Sequence, residues 1–146
     1  LRKFPVTGNI YFARVHGCLL LHLPSGRWLV YPKARIGENR FGSPSILYEG
    51  LDQTTRRWGE LETYGGKLTE NLIQGIARDC LGAAMLRLEA AGYKIVAHIH
   101  DEVVLDVPQD FGSLADAIRI MVQNEPWNQG LLMNADGFEG AYYKKD

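Results

Sequence analysis

Apolar positions near the start of the chain form short strand-like runs. Residues 18–23 and 27–31 are two such runs, and Pro24-Ser25-Gly26 separates them. Two apolar runs joined by a turn of this kind predict a β-hairpin. Residues 1–17 show no clear period, and no element is assigned to them.

A loop and a second hairpin are predicted next. Residues 32–44 contain two prolines and two glycines, which predicts a loop. Residues 45–49 and 56–62 have the pattern of two strands around a polar connection at 51–55.

Residues 67–91 carry the clearest helical pattern. The segment has no proline, and Gly92 follows it as a natural C-terminal cap. A helix of this length measures about 37 Å. Thr69 is an alternative N-cap that would shorten it. Apolar residues at i, i+3, i+4 and i+7 spacing predict one buried face, made of Ile73, Ile76, Ala77, Cys80, Leu81, Ala84 and Leu88.

The remaining pattern combines strands with a shorter helix. Residues 93–99 and 103–107 are apolar and β-branched, which predicts two strands joined by His100-Asp101-Glu102. Residues 111–123 predict a second amphipathic helix, and 131–133 a short strand. Antiparallel β-hairpins packed against one long and one shorter helix give an α+β class.

Composition narrows the class of protein. The 146 residues suffice for one domain, 1–146, and 46% of them are apolar, so a core can form. The net charge of −1 does not by itself indicate a nucleic-acid partner. Cys18 and Cys80 lie in apolar runs, as buried free thiols of a reducing cytosol would. The sequence shows no membrane span and no signal segment, and its first residue, Leu1, is compatible with an excised fragment.

The charged tip between the two apolar strands is the first candidate site. A carboxylate on a tight hairpin is held rigidly, and Mg²⁺ usually takes one or two carboxylates together with water and substrate phosphates. Asp and Glu also favour turns for structural reasons. His98 and His100 share a strand face, which leaves open a transition-metal site or a metal-dependent hydrolase that uses His98, His100 and Asp101.

A polar stripe on the long helix is the second candidate. Lys67, Asn71, Gln74 and Arg78 are spaced by 4, 3 and 4 residues and therefore share one stripe. Such side chains can contact minor-groove acceptors and phosphates. An ordinary solvated helix face is the alternative. If DNA is the partner, we expect Gln74 to point to the same side as Asp101.

Arg56-Arg57-Trp58 is the third candidate. These residues can touch backbone phosphates, or they can protect the edge of a strand by their charge.

Residues 65–108 resemble the C-terminal palm of family A (DNA polymerase I-like) DNA polymerases, with phage-type members the most similar. The features that match in order are Gln74-Gly75 near the start of a long helix, a strand, His100-Asp101-Glu102 as the family's third polymerase motif, a second strand and Pro108. Leu23-Pro24-Ser25-Gly26-Arg27 and Tyr64-Gly65-Gly66-Lys67 also look like phage polymerase sequence. The resemblance covers about residues 18–125.

The resemblance implies roles for individual residues. Asp101 would be a catalytic metal ligand, and Glu102 would support the metals. His100 would contact the primer strand near its 3′ end, and Gln74 the minor groove there. Arg78, Asn71 and Lys67 would contact DNA. Many relatives have an asparagine four residues before this glutamine, where this chain has Glu70.

The family's other two motifs are absent from these 146 residues. They are the Asp-Tyr-Ser-like strand with the second metal-binding aspartate and the fingers helix that binds the incoming deoxynucleoside triphosphate. The resemblance therefore implies that this chain is most of the C-terminal half of a palm. Primer-template DNA and nucleotides would be its partners in the full-length enzyme, together with the N-terminal palm, fingers and thumb. The two-Mg²⁺ site would be incomplete here.

The resemblance implies expectations for the full-length protein and for the fragment. The full-length protein would carry out template-directed DNA synthesis in the cytoplasm of a bacterium or a phage-infected host. The fragment alone would be inactive. The alternative is a non-catalytic DNA-binding or interaction remnant of a polymerase.

Overall fold

The computed structural model describes residues 2–144. Within these residues the chain forms three antiparallel sheets and two α-helices, so the predicted α+β class is confirmed. The chain divides into two compact units, one up to Ile76 and one from Ala77 onwards. The boundary falls within the long helix.

The first unit begins with a four-stranded antiparallel sheet in which every strand pairs with the next. The predicted hairpin at 18–31 is confirmed as its last two strands. The first two strands were not predicted. Gly8 and Gly17 interrupt residues 1–17, and all five residues of the first strand are exposed, so no buried face marks it. The strands are β1 (Lys3–Thr7), β2 (Ile10–Val15), β3 (Cys18–His22) and β4 (Trp28–Tyr31).

A three-stranded sheet follows, made of β5 (Arg35–Glu38), β6 (Pro44–Leu51) and β7 (Trp58–Thr63). The second predicted hairpin is confirmed as β6–β7. The prediction of a loop throughout 32–44 is wrong, because β5 lies within it. Gly37 is a strand residue that allows a close approach, since a Cβ there would lie 2.5 Å from Leu47 Cδ1.

The long helix α1 (Gly65–Ala90) begins two residues before its predicted start. The alternative N-cap at Thr69 is wrong, since its hydroxyl lies inside the helix and donates to the Gly65 carbonyl oxygen at 2.9 Å. The predicted C-terminal cap is confirmed: Gly92 has φ +90°, and the Tyr93 backbone N–H donates to the Leu88 carbonyl.

The buried face of α1 differs in part from the predicted one. Ile73 is 60% exposed and Ala77 is also exposed, so their assignment to the buried face is wrong. In the first unit Leu68 and Leu72 pack instead with Leu21 and with Tyr31 of the sheet. Apolar residues lie on more than one side of this stretch, and periodicity alone did not identify the covered side. Four predicted residues are buried: Cys80, Leu81, Ala84 and Leu88.

The second unit contains the predicted hairpin and the shorter helix. Strands β8 (Ile95–Ile99) and β9 (Glu102–Leu105) pair antiparallel, and α2 (Leu114–Met121) and a 3₁₀ turn (Pro126–Asn128) follow. Leu88, Tyr93, Ala117 and Ile120 form the core of this unit, with Ile95, Val103 and Leu105 packed against it.

Helix α2 is shorter than the predicted 111–123. Ser113 caps it, because its hydroxyl accepts the Asp116 backbone N–H at 3.1 Å, and Gly112 before it has φ +63°. At the other end the Arg87 guanidinium donates to the carbonyls of Ile120 and Met121. The predicted strand at 131–133 is wrong: these residues pair with no strand in the described chain, and Leu132 is 98% exposed.

Both cysteines are free thiols. Cys80 is buried, as predicted, whereas Cys18 is only half-buried. Among residues 2–144, no helix combines the length and the apolar character that crossing a bilayer requires.

Candidate active site

His100 and Asp101 form the two-residue connection between β8 and β9. Ile99 pairs with Glu102, so the charged residues lie at the end of the ladder, as predicted. Two-residue hairpin connections require positive φ, and His100 supplies it with φ +53°. A histidine in this conformation is uncommon. Among the described residues His16, Lys33 and Arg56 also have positive φ, so the backbone conformation explains the tight turn and does not by itself mark a site.

The two carboxylates of this tip have different surroundings. Both side chains are exposed. Glu102 accepts a hydrogen bond from the Tyr143 hydroxyl, with 3.1 Å between the oxygens. Asp101 makes no hydrogen bond or ion pair with any residue in 2–144. Its oxygens are therefore available to a ligand.

Tyr143 is a contact of the site that sequence reasoning missed. It lies 41 residues after Glu102, in a tail that forms no helix or strand. No spacing rule links two residues so far apart.

The structure does not assemble a three-ligand metal site. Among residues 2–144, no group of three His, Cys, Asp or Glu side chains is placed to hold a metal ion, so His98, His100 and Asp101 do not form one. His98 instead lies beside Arg78, with 3.4 Å between its Nδ1 and Arg78 Nη1. A guanidinium can only donate, so this contact needs His98 Nδ1 as an acceptor.

Polar side chains on the first turns of α1 meet at a carboxylate within the first unit. Lys67 Nζ lies 3.0 Å from Glu70 Oε2, and Gln74 Nε2 donates to Glu70 Oε1 at 3.3 Å. The Glu70 carboxylate raises the pKa of the Lys67 ammonium, mainly through this hydrogen bond. Glu70 therefore holds two of the predicted DNA-contacting side chains.

Asn71 faces the sheet of the first unit. Its Nδ2 donates to the Tyr31 hydroxyl at 3.1 Å. Burial, the largest influence, raises the pKa of Tyr31, and this hydrogen bond opposes the rise. One amide donor of Asn71 is thus engaged in packing the helix on the sheet.

The expectation that Gln74 faces the same side as Asp101 stays a prediction. Gln74 belongs to the first unit and Asp101 to the second. Gln74 and Arg78 are both exposed.

Comparison with known proteins gives two relatives. Over 139 residues the chain is 49% identical to a protein named DNA polymerase from Bacillus phage SP02. This chain is similar to part of a DNA polymerase. The match covers 94% of the chain but 21% of the relative, so the chain spans about one fifth of that protein's length.

A weaker match is to DNA polymerase I B, chloroplastic/mitochondrial, of Arabidopsis thaliana. The identity is 33% over 70 residues, which is 44% of this chain and 7% of the relative. No protein-family model and no solved structure matches the chain. The names of the two relatives support the prediction of a DNA polymerase.

Proposed function

We propose that this chain is the C-terminal part of the palm of a family A DNA polymerase, close to the phage type. The full-length protein would perform template-directed nucleotidyl transfer, which joins a deoxynucleotide to a primer 3′ end. The similarity to the phage SP02 DNA polymerase, which extends over 94% of the chain, is the observation that carries the proposal. The hairpin with an unpartnered Asp101 at its tip supports it.

Asp101 is the proposed metal ligand of this half of the palm. Its exposed, unpartnered carboxylate suits Mg²⁺, which prefers oxygen ligands and keeps water or phosphate in its remaining positions. When bound, Mg²⁺ supplies charge stabilisation for the attacking 3′ oxygen and the leaving pyrophosphate. Glu102 has a supporting role beside Asp101, and the Tyr143 hydroxyl orients its carboxylate.

Primer-template DNA is the proposed macromolecular partner. His100, at the same strained tip as Asp101, contacts the primer strand near its 3′ end. Gln74, Arg78 and Lys67 are exposed and contact the minor groove and phosphates. Lys67 and Gln74 exchange their present contacts with the exposed Glu70 carboxylate for DNA. Asn71 contributes less to DNA binding, because one of its amide donors already serves Tyr31.

The 146 residues alone would be inactive. One metal-binding carboxylate does not hold two Mg²⁺ ions, and these residues contain no recognisable nucleotide-binding fingers helix. The second aspartate, the fingers and the thumb would come from other parts of the polymerase. The enzyme would act in the cytoplasm of a bacterium or of a phage-infected cell.

Primer extension by the full-length protein tests the proposal. We expect Asp101→Ala to reduce extension at least about a thousandfold while DNA affinity changes little, because affinity for duplex comes mainly from phosphate contacts. Glu102→Ala should be milder. Near-normal extension by Asp101→Ala would remove the metal-ligand assignment. A wild-type protein that binds primer-template DNA but never extends it would instead be a non-catalytic remnant.

A further inference from the structure

The β6–β7 hairpin ends in a loop of defined shape at residues 52–57. Asp52 Oδ1 accepts the Thr54 and Thr55 backbone N–H groups and the Thr55 hydroxyl, at 2.6–3.0 Å. Two backbone hydrogen bonds, Asp52 N–H to Arg57 and Arg56 N–H to Asp52, close the loop. The residues that follow Thr55 are therefore presented in a fixed arrangement.

Two cations of this loop are uncompensated. Arg56 and Arg57 are exposed and form no ion pair or hydrogen bond with a side chain among residues 2–144. Other cations of the same sheet region are paired, Lys33 with Glu49 and Arg35 with Glu60. The Asp52 carboxylate is occupied by the donors of the loop. Residues 52–57 thus carry a net charge of +1, from two arginines and the Asp52 carboxylate, and no ion pair in the described chain engages either guanidinium.

An exposed indole lies directly beside these cations. Trp58 is 63% exposed, and its Nε1 donates to Glu49 Oε2 at 3.4 Å. That hydrogen bond restrains the ring while most of its surface stays open to solvent. A restrained, exposed indole costs little conformational entropy when a planar partner stacks on it.

Protection of a strand edge does not explain the arginines. Strand β7 is an edge strand of its sheet, but it begins at Trp58, and Arg56 and Arg57 lie before it in the loop. Unpaired guanidinium groups bind phosphate, and aromatic rings beside them stack with unpaired bases. Duplex DNA keeps its bases stacked on each other, so the indole favours a single strand.

We propose that the tip formed by Arg56, Arg57 and Trp58 binds single-stranded DNA, with the guanidinium groups on phosphates and the indole on a base. The choice of DNA rests on the proposed polymerase function. The site itself rests on the unpaired charge and on the exposed indole, neither of which enters the assignment of Asp101.

Binding of a fluorescent oligothymidylate to the full-length protein, measured by anisotropy between 50 and 250 mM salt, tests the site. We expect Arg56→Gln with Arg57→Gln to weaken binding about tenfold at 0.1 M salt and to reduce the slope of log K against log salt by about 1.4, or about 0.7 per phosphate contact. Arg56→Lys with Arg57→Lys should keep the slope. Lys33→Gln with Arg35→Gln removes the same charge from the same sheet and should leave the slope unchanged.

The indole is tested separately with Trp58→Leu. Binding of oligothymidylate should weaken about fivefold to tenfold, whereas an abasic strand of equal length should bind this variant and the wild type alike. Unchanged binding in the double glutamine variant overturns the site, as does an equal slope loss in the Lys33/Arg35 control. If Trp58→Leu weakens the binding of duplex DNA as much as the binding of single-stranded DNA, the single-strand assignment is overturned. A wild-type protein that binds neither DNA form overturns the polymerase proposal itself.

Discussion

In the described chain, two hairpin tips each contain an aspartate and one non-glycine residue with positive φ. In the β6–β7 tip the residues are Asp52 and Arg56, which has φ +54°. In the β8–β9 tip they are Asp101 and His100, which has φ +53°. The Asp52 carboxylate accepts three hydrogen bonds from its own loop. The Asp101 carboxylate has no partner in the described chain.

The comparison separates a structural turn aspartate from a candidate ligand. The Asp52 carboxylate accepts its hydrogen bonds from groups of its own loop instead of from water. Its negative charge therefore stabilises the turn. The two-residue connection offers no loop N–H or O–H group that could donate to Asp101. Its carboxylate therefore remains available to a ligand. The residue type at a hairpin tip is therefore a weak indicator of function, whereas unused hydrogen-bonding capacity is a stronger one.

The largest contrast is expected between Asp101→Ala and Asp52→Ala in the full-length protein. Asp101→Ala should lose primer extension but keep its Tm within about 1 °C, because no contact in the described chain is removed. Asp52→Ala should lower the Tm of the same full-length protein by about 2 °C, because three loop hydrogen bonds are lost. Its extension at saturating DNA should stay within about twofold. Extension by Asp52→Ala as poor as that of Asp101→Ala would remove the distinction.

The Tyr143 hydroxyl should have a smaller effect. We expect Tyr143→Phe to slow extension about twofold to tenfold, because Glu102 loses the donor that orients it. Tyr142→Phe, at the exposed neighbouring tyrosine, is the matched control and should have no effect. In a Glu102→Ala background Tyr143→Phe should cost nothing further. Additive losses would show that Tyr143 acts elsewhere.

The pH dependence of stability is the finest test of the comparison. Hydrogen bonds from the Thr55 backbone N–H and hydroxyl lower the pKa of Asp52 below its ordinary value of 3.8. The folded state thus favours the charged carboxylate, whose stabilisation is present above about pH 4 and is lost as the pH falls through the lowered pKa. The Tm gap between wild type and Asp52→Ala should be constant from pH 7 to 5 and should shrink below pH 4. A gap that widened in acid would contradict this assignment.

Sequence reasoning predicted elements whose pattern is local. The β8–β9 hairpin has apolar strands around three polar residues, and α1 runs without proline to the cap at Gly92. It missed β1, which lies wholly exposed, and β5, where Gly37 resembles a loop residue but serves close packing. It predicted a strand at 131–133, because three apolar residues do not reveal that no partner strand is present.

The candidate site was predictable only in its local part. His100, Asp101 and Glu102 follow one another in sequence, and their position between two strands was readable. The contact from Tyr143 depends on the path of the tail, and the pairing of Asn71 with Tyr31 on the register of a sheet 40 residues away. Such long-range contacts leave no periodic signal in the sequence.

The order of the strands has a consequence for biosynthesis. In each of the three sheets of the described chain, every strand pairs with the strand that immediately precedes or follows it. Pairings of this kind close short loops and form quickly. As the chain leaves the ribosome, each strand after the first of its sheet meets a partner that has just been made. Few strand edges are therefore unpaired while translation continues, which limits their pairing with other chains and hence aggregation.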